Sequence, residues 1–249
     1  MGSVGVPRLR RPDDRIITKS NEKCKHVCKH CMNYFSHALP FLADPYFVAG
    51  TAVPDWLAVA DRGVRVNVKN VQPLAGDPHR ETAAVAAGLL QHFRDDSQFH
   101  KTRAFAETTL ELSAAIRGVL AAENGFRPSF LGHVLVEVLL DWTLAEDHPG
   151  GLDSYYRALE AVDPGIVQEA VNRMSARGTD RLAPMIFLFR QERILWDYGR
   201  DAKLLLRMNQ VMRRVGFPPL PEGVQDLLPA ARQLVRRRQH ELLEGIPVR

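Results

Sequence analysis

Residues 130–146 read FLGHVLVEVLLDWTLAE, and this stretch decides the fold. Pro128-Ser129 opens it and His148-Pro149-Gly150-Gly151 closes it, the punctuation of a helix start and stop. Apolar residues run nearly all round the helix, as they do in a central helix wrapped by others. Into that surface the sequence sets His133, Glu137 and Asp141 four residues apart, on one stripe. A carboxylate buried without a partner costs several kcal/mol. No Lys or Arg lies between Leu131 and Leu144 to supply one. Two acids and an imidazole on such a stripe favour a metal ion. The plainer reading is that Glu137 and Asp141 pair with arginines of other helices and His133 is a core histidine.

Outward from this helix the pattern stays helical. Residues 103–122 repeat apolar positions at Phe105, Leu110, Leu112, Ile116 and Leu120, and Asn124-Gly125 ends them. Residues 81–99 place Val85, Leu89, His92 and Asp96 along one stripe. Before them, residues 61–79 hold Gly, Pro and short β-branched runs, and read as a long loop bordering a site. Segments 34–43 and 46–60 are divided by Asp44-Pro45. On the C-terminal side, helices are expected near 152–162, 165–177, 181–191, 193–215 and 222–244, with Phe217-Pro218-Pro219 as a break. There is no internal repeat and no dividing linker. Residues 32–249 therefore read as one all-α domain, a bundle of roughly eight to ten helices.

The 249-residue chain is 45% hydrophobic and 25% charged, enough to bury a real core. No run of about 18 apolar residues is present, so no membrane span is expected, and a cytoplasmic location is the default. The net charge of +4 is uneven. Residues 1–31 carry eight Lys/Arg against three acids, a leader of +5 that leaves the rest at −1. The body thus shows no bias toward nucleic acid.

That leader, MGSVGVPRLRRPDDRIITKSNEKCKHVCKHC, lacks apolar periodicity and is expected to be disordered. A mis-assigned start, with Met32 as the true one, explains the break in composition. Cys24, Cys28 and Cys31 are the only cysteines. Their spacing resembles the iron–sulfur motif of radical S-adenosylmethionine enzymes, but no strand precedes it and no βα alternation follows. A zinc site with His26 or His30 would lack the second ligand pair that zinc knuckles use.

Three constellations carry candidate chemistry. Besides His133–Glu137–Asp141 there is His92-Phe93-Arg94-Asp95-Asp96, where His92 and Asp96 repeat the spacing of four and His100 continues the stripe. The third is His37 with Asp55, in GTAVPDW. Because Pro54 biases the preceding residue toward extended structure, Asp55 is expected to start or cap a helix. The candidate ligands are His37, Asp55, His92, Asp96 and His133. Mixed imidazole and carboxylate donors suit Mn, Fe, Zn or Mg. Helix-borne ligands of this kind converge inside bundles.

Several motifs give the body a resemblance. Met32-Asn33-Tyr34-Phe35-Ser36-His37 matches Met-Asn-aromatic-x-x-His, and Gly50 to Trp56 matches Gly-x-x-x-x-Asp-aromatic. Gly88, His92, Arg94 and Asp96 match Gly-x-x-x-His-x-Arg-x-Asp without a gap. Weaker matches lie in the His133–Glu137–Asp141 helix, at Leu195–Tyr198 and at Met208–Arg214. The pattern resembles the acyl-carrier-protein phosphodiesterases, a branch of the HD-domain-like metal phosphohydrolases. The resemblance implies an HD-like bundle and release of phosphopantetheine from an acidic carrier protein. It implies a divalent ion near His37, Asp55, His92, Asp96 and His133, with Arg94 on a phosphate oxygen. Glu137 or Asp141 would orient the attacking water or add a ligand. Arginines of the last helix are candidates for docking the carrier. Two alternatives stand beside it: a zinc-dependent phospholipase C-like hydrolase, whose His-x3-Glu pair matches His133 and Glu137, and a non-catalytic helical binding domain.

Overall fold

A computed structural model of the chain describes residues 34–120 and 127–247. The leader, with its three cysteines and Met32, lies outside them. Eleven α-helices and four short 3-10 segments make up the described residues, joined by no sheet, only an isolated bridge between Val66 and Ser175. The all-α expectation holds.

The helix α1 (Tyr34–Ala38) is a single buried turn. α2 (Pro45–Ala60) begins where Asp44 accepts the amide of Phe47, and Pro45 occupies the first turn, where a missing N–H costs nothing. The sequence placed Asp55 at a helix start, yet Pro54 and Asp55 lie well inside α2. Packing explains the reversal. α2 crosses α4 (Arg80–Phe99) at Gly50 and Gly88, where a Cβ on either glycine would fall within 2.3 Å of backbone oxygen on the other helix. That close contact holds the helix through the proline and overrides the local bias.

Between them, residues 61–79 are less loop-like than expected. α3 (Val68–Val71), capped by Asn67, runs into a 3-10 segment at Gln72–Gly76. α5 (Arg103–Val119) starts on Thr102, whose hydroxyl accepts the amide of Phe105. α6 (Pro128–Asp147) is the central helix foreseen in the sequence. By length and composition it alone among the described helices is apolar enough to cross a bilayer. In the bundle 67% of its apolar stretch is buried, so the core accounts for its apolarity.

α7 (Gly151–Glu160), α8 (Pro164–Met174) and α9 (Leu182–Glu192) close one side. The helix expected from residue 193 is broken. Arg193 sits in the left-handed region at φ 44°, a 3-10 turn covers Ile194–Gly199, and α10 begins at Asp201 and ends at Val215. The last helix, α11 (Leu228–Leu242), is shorter than expected because a 3-10 turn takes Glu222–Leu227 and Pro229 opens the α-helix. Three of its arginines pair with acids of other helices. Arg232 pairs with Asp201, Arg236 with Glu146 and Asp147, and Arg238 with Glu107 and Glu111. The core centres on Trp56, Tyr155, Tyr156, Phe35, Phe99 and Phe189.

A candidate metal centre in two layers

The stripe on α6 is split by its own rise. Residues eight apart lie about 12 Å apart along a helix axis, farther than one ion spans. His133 and Glu137 belong to one layer, and Asp141 to another.

The outer layer gathers His133 and Glu137 of α6 with His100, which follows the last turn of α4. Nε2 of His100 lies 3.2 Å, and Nε2 of His133 3.0 Å, from the same Glu137 Oε1. The imidazole rings stack with centroids 4.9 Å apart, and the edge of Phe105 packs on both. Ligand atoms of the three side chains all lie within 4.8 Å of one another, so this group could hold a metal ion. The His133–Glu137 approach is close but lacks hydrogen-bond geometry, as befits two ligand atoms facing a common point and not each other. Glu137 is 2% exposed, while His100 and His133 are 21% and 16% exposed. The group therefore has a sealed floor and a rim that meets solvent.

Asp96 stands behind this group and accepts from His100 Nδ1 at 3.2 Å. A carboxylate on the second nitrogen is what orients a ligating imidazole. Burial works against the His100 cation, but hydrogen bonds and charge from Asp96 and Glu137 outweigh it and push its pKa up to about 10. Desolvation likewise works against the Asp96 carboxylate, and the His100 hydrogen bond, with the charges of His100, His92 and His37, nonetheless lowers its pKa. Without a metal, then, a proton on His100 supplies the positive charge between two buried acids.

The inner layer is sealed. The rings of His37 of α1 and His92 of α4 meet with centroids 4.3 Å apart and planes tilted by 33°, and both residues are buried. His92 Nδ1 lies 2.8 Å from the Thr51 carbonyl. A carbonyl only accepts, so Nδ1 carries the proton. His37 Nδ1 is 3.2 Å from Asp95 Oδ2, and its Nε2 is buried with no hydrogen-bond partner. Asp95 in turn accepts from Gln91, which accepts from Arg94, both at 2.7 Å. Asp55 is buried one turn beyond Thr51 on α2.

Asp141 holds this layer to the central helix. Its two oxygens accept the amides of Phe35 and Ser36 at 2.9 and 2.8 Å, fastening the first turn of α1. Full burial raises its pKa to about 6, with those two amides acting in the opposite direction.

Of the five expected ligands, His133 belongs to the group of three that could hold an ion. His133 lies in the outer layer, His37 and His92 in the inner, and Asp96 touches both electrostatically. Glu137 stands among the metal-capable ligands. Arg94 lies on the opposite side of α4, lining a surface cleft. His100 is the member of this metal-capable group that the sequence reading left out of its ligands, although it sat on the His92–Asp96 stripe. Asp95 gave no local signal, because its role depends on α1.

No protein family, curated protein or solved structure matches the chain.

Proposed function

We propose that this protein is a metal-dependent phosphoester hydrolase with His100, His133 and Glu137 as its metal ligands. The observation that carries this reading is the outer group itself, three ligand atoms gathered at a half-open rim. Catalytic metal sites pair three protein ligands with an open position, and two imidazoles with one carboxylate is an established set. These donors suit Zn, Mn or Fe over a soft metal, with Mg a poorer fit to two nitrogens. A divalent ion there would supply Lewis acidity toward a phosphoryl oxygen and an attacking water.

The chain's own residues supply the frame. Asp96 fixes the His100 ring and balances its charge. His37 and His92 form the layer behind it, both within electrostatic reach of Asp96. Asp141 holds His37 in register through α1. The motif resemblance to acyl-carrier-protein phosphodiesterases suggests an HD-like bundle and a carrier-protein substrate. The pairing of Arg232, Arg236 and Arg238 with acids of this chain makes the last helix a poor docking face for such an acidic partner. The phospholipase C-like alternative keeps support from one contact, the 3.0 Å approach of His133 and Glu137 as a His-x3-Glu pair.

The test is turnover of bis-p-nitrophenyl phosphate with Mn²⁺, Mg²⁺ or Zn²⁺ added to the chelator-treated protein. Metal-stimulated hydrolysis that falls at least about a hundredfold in Glu137→Gln and His133→Ala is expected. Absent turnover, together with unchanged metal binding in those variants, rules the reading out. Holo carrier protein against phosphatidylcholine then separates the two substrate classes.

A further inference from the structure

Several arginines of the bundle are neutralised by acids. Arg173 pairs with Asp77, Arg207 with Asp197 and Glu192, and the α11 arginines with acids of neighbouring helices. Arg94 and Lys101 differ. Among the described residues neither has an ion-pair partner, although they lie on one face of α4 and just beyond its end, seven residues apart. Both line a cleft of about 450 Å³ between α4 and the α3 region. That volume is ample for a small organic ligand.

The cleft's lining is selective in three ways. It contains no acidic residue, so nothing in the lining itself neutralises the two exposed cations. Ser97 and Gln72 add a hydroxyl and an amide able to donate to oxygen. Phe93 and Val68 supply an apolar wall, with Val68 51% exposed. Two fixed positive charges, neutral donors and a short apolar surface match a dianion joined to an apolar arm. A guanidinium with a free edge is suited to a phosphoryl group, and a lysine serves as its second point charge.

Arg94 also ties the cleft to the interior. One of its nitrogens donates to Gln91, which donates to Asp95, which holds His37. Three hydrogen bonds thus run from the cleft to the buried histidine pair. A ligand that draws Arg94 outward acts directly on the side chain that clamps Asp95.

We propose that this cleft is a separate binding site for an organic phosphate with a short apolar arm, held by Arg94 and Lys101. The site does not depend on the metal reading, because none of its lining residues belongs to the metal-capable group. It can therefore be tested on metal-free protein.

The experiment is titration calorimetry of the chelator-treated full chain with butyl phosphate, inorganic phosphate, butyrate and butanol. Butyl phosphate should bind more tightly than inorganic phosphate, butyrate more weakly, and butanol not detectably. Arg94→Gln and Lys101→Gln should each weaken butyl phosphate by about tenfold, Lys101→Gln with an unchanged thermal midpoint since its side chain is exposed. His133→Ala should leave the affinity unchanged. Affinity that survives the Arg94→Gln/Lys101→Gln double variant, or that is lost in His133→Ala, overturns the proposal. So does an absence of binding at about 10 mM ligand, a concentration at which even a millimolar site fills.

Discussion

The two histidine pairs of this bundle are built from similar parts and are put to opposite uses. In the inner pair, His37 and His92 are sealed, and each Nδ1 is tied to an acceptor on the surrounding helices. In the outer pair, His100 and His133 share one buried glutamate and reach solvent. Burial separates them: the outer pair meets solvent, while the inner pair is closed off from it. Asp96 joins the two, bonded to His100 and close enough to feel the charges of His92 and His37.

The largest effect expected lies in the inner layer. Asp141→Ala strands the buried amides of Phe35 and Ser36, at a cost of about 2–4 kcal/mol once the relief of a buried carboxylate is subtracted. Urea unfolding measures it, and a loss below about 1 kcal/mol would mean that α1 does not depend on this anchor. His37→Gln, which keeps a donor for Asp95, should cost less.

Next comes the pH dependence of the outer layer. His100 has a folded-state pKa raised to about 10, above its unfolded value near 6.5. Its protonation therefore adds stability that is complete below pH 6.5 and is lost as pH rises through about 10. For metal-free protein the fall over that window should be about 2 kcal/mol, and His100→Asn should flatten it. Asp141, raised to about 6, acts in the same direction at lower pH, its contribution fading between about pH 4 and 6. A stability profile that rises from pH 7 to 10 would contradict the ion-pair geometry around His100.

The smallest effect belongs outside both layers. Arg236→Ala removes exposed pairs to Glu146 and Asp147 and should cost no more than about 1 kcal/mol, with metal binding unchanged.

This contrast also shows how much a sequence can carry. The apolar run at 130–146 announced the central helix, and its flanking Pro and Gly marked the ends within a few residues. The chemistry on it was visible too, since His133 and Glu137 at a spacing of four do share a layer. Extending the stripe to Asp141 failed for a metric reason, because eight residues of rise exceed the reach of one ion. His100 was legible as the third member of the 92–96–100 stripe, but nothing local said that α6 would bring His133 onto it. Asp55 was read as a cap from Pro54 alone. The Gly50–Gly88 contact that keeps the helix running exists only once α2 and α4 meet. Local signals sufficed for elements; the division into an open and a closed layer is set by helix crossing and cannot be read before the helices are placed.

The most direct test is cobalt(II) titration, followed by visible absorption and calorimetry, of chain in which Cys24, Cys28 and Cys31 are changed to Ser. One ion per chain with a ligand-field spectrum is expected, lost in His133→Ala and in Glu137→Gln and retained in His37→Gln. An ion that persists without His133 and Glu137, or that disappears with His37 alone, would place the metal in the inner layer and contradict the assignment of the outer one.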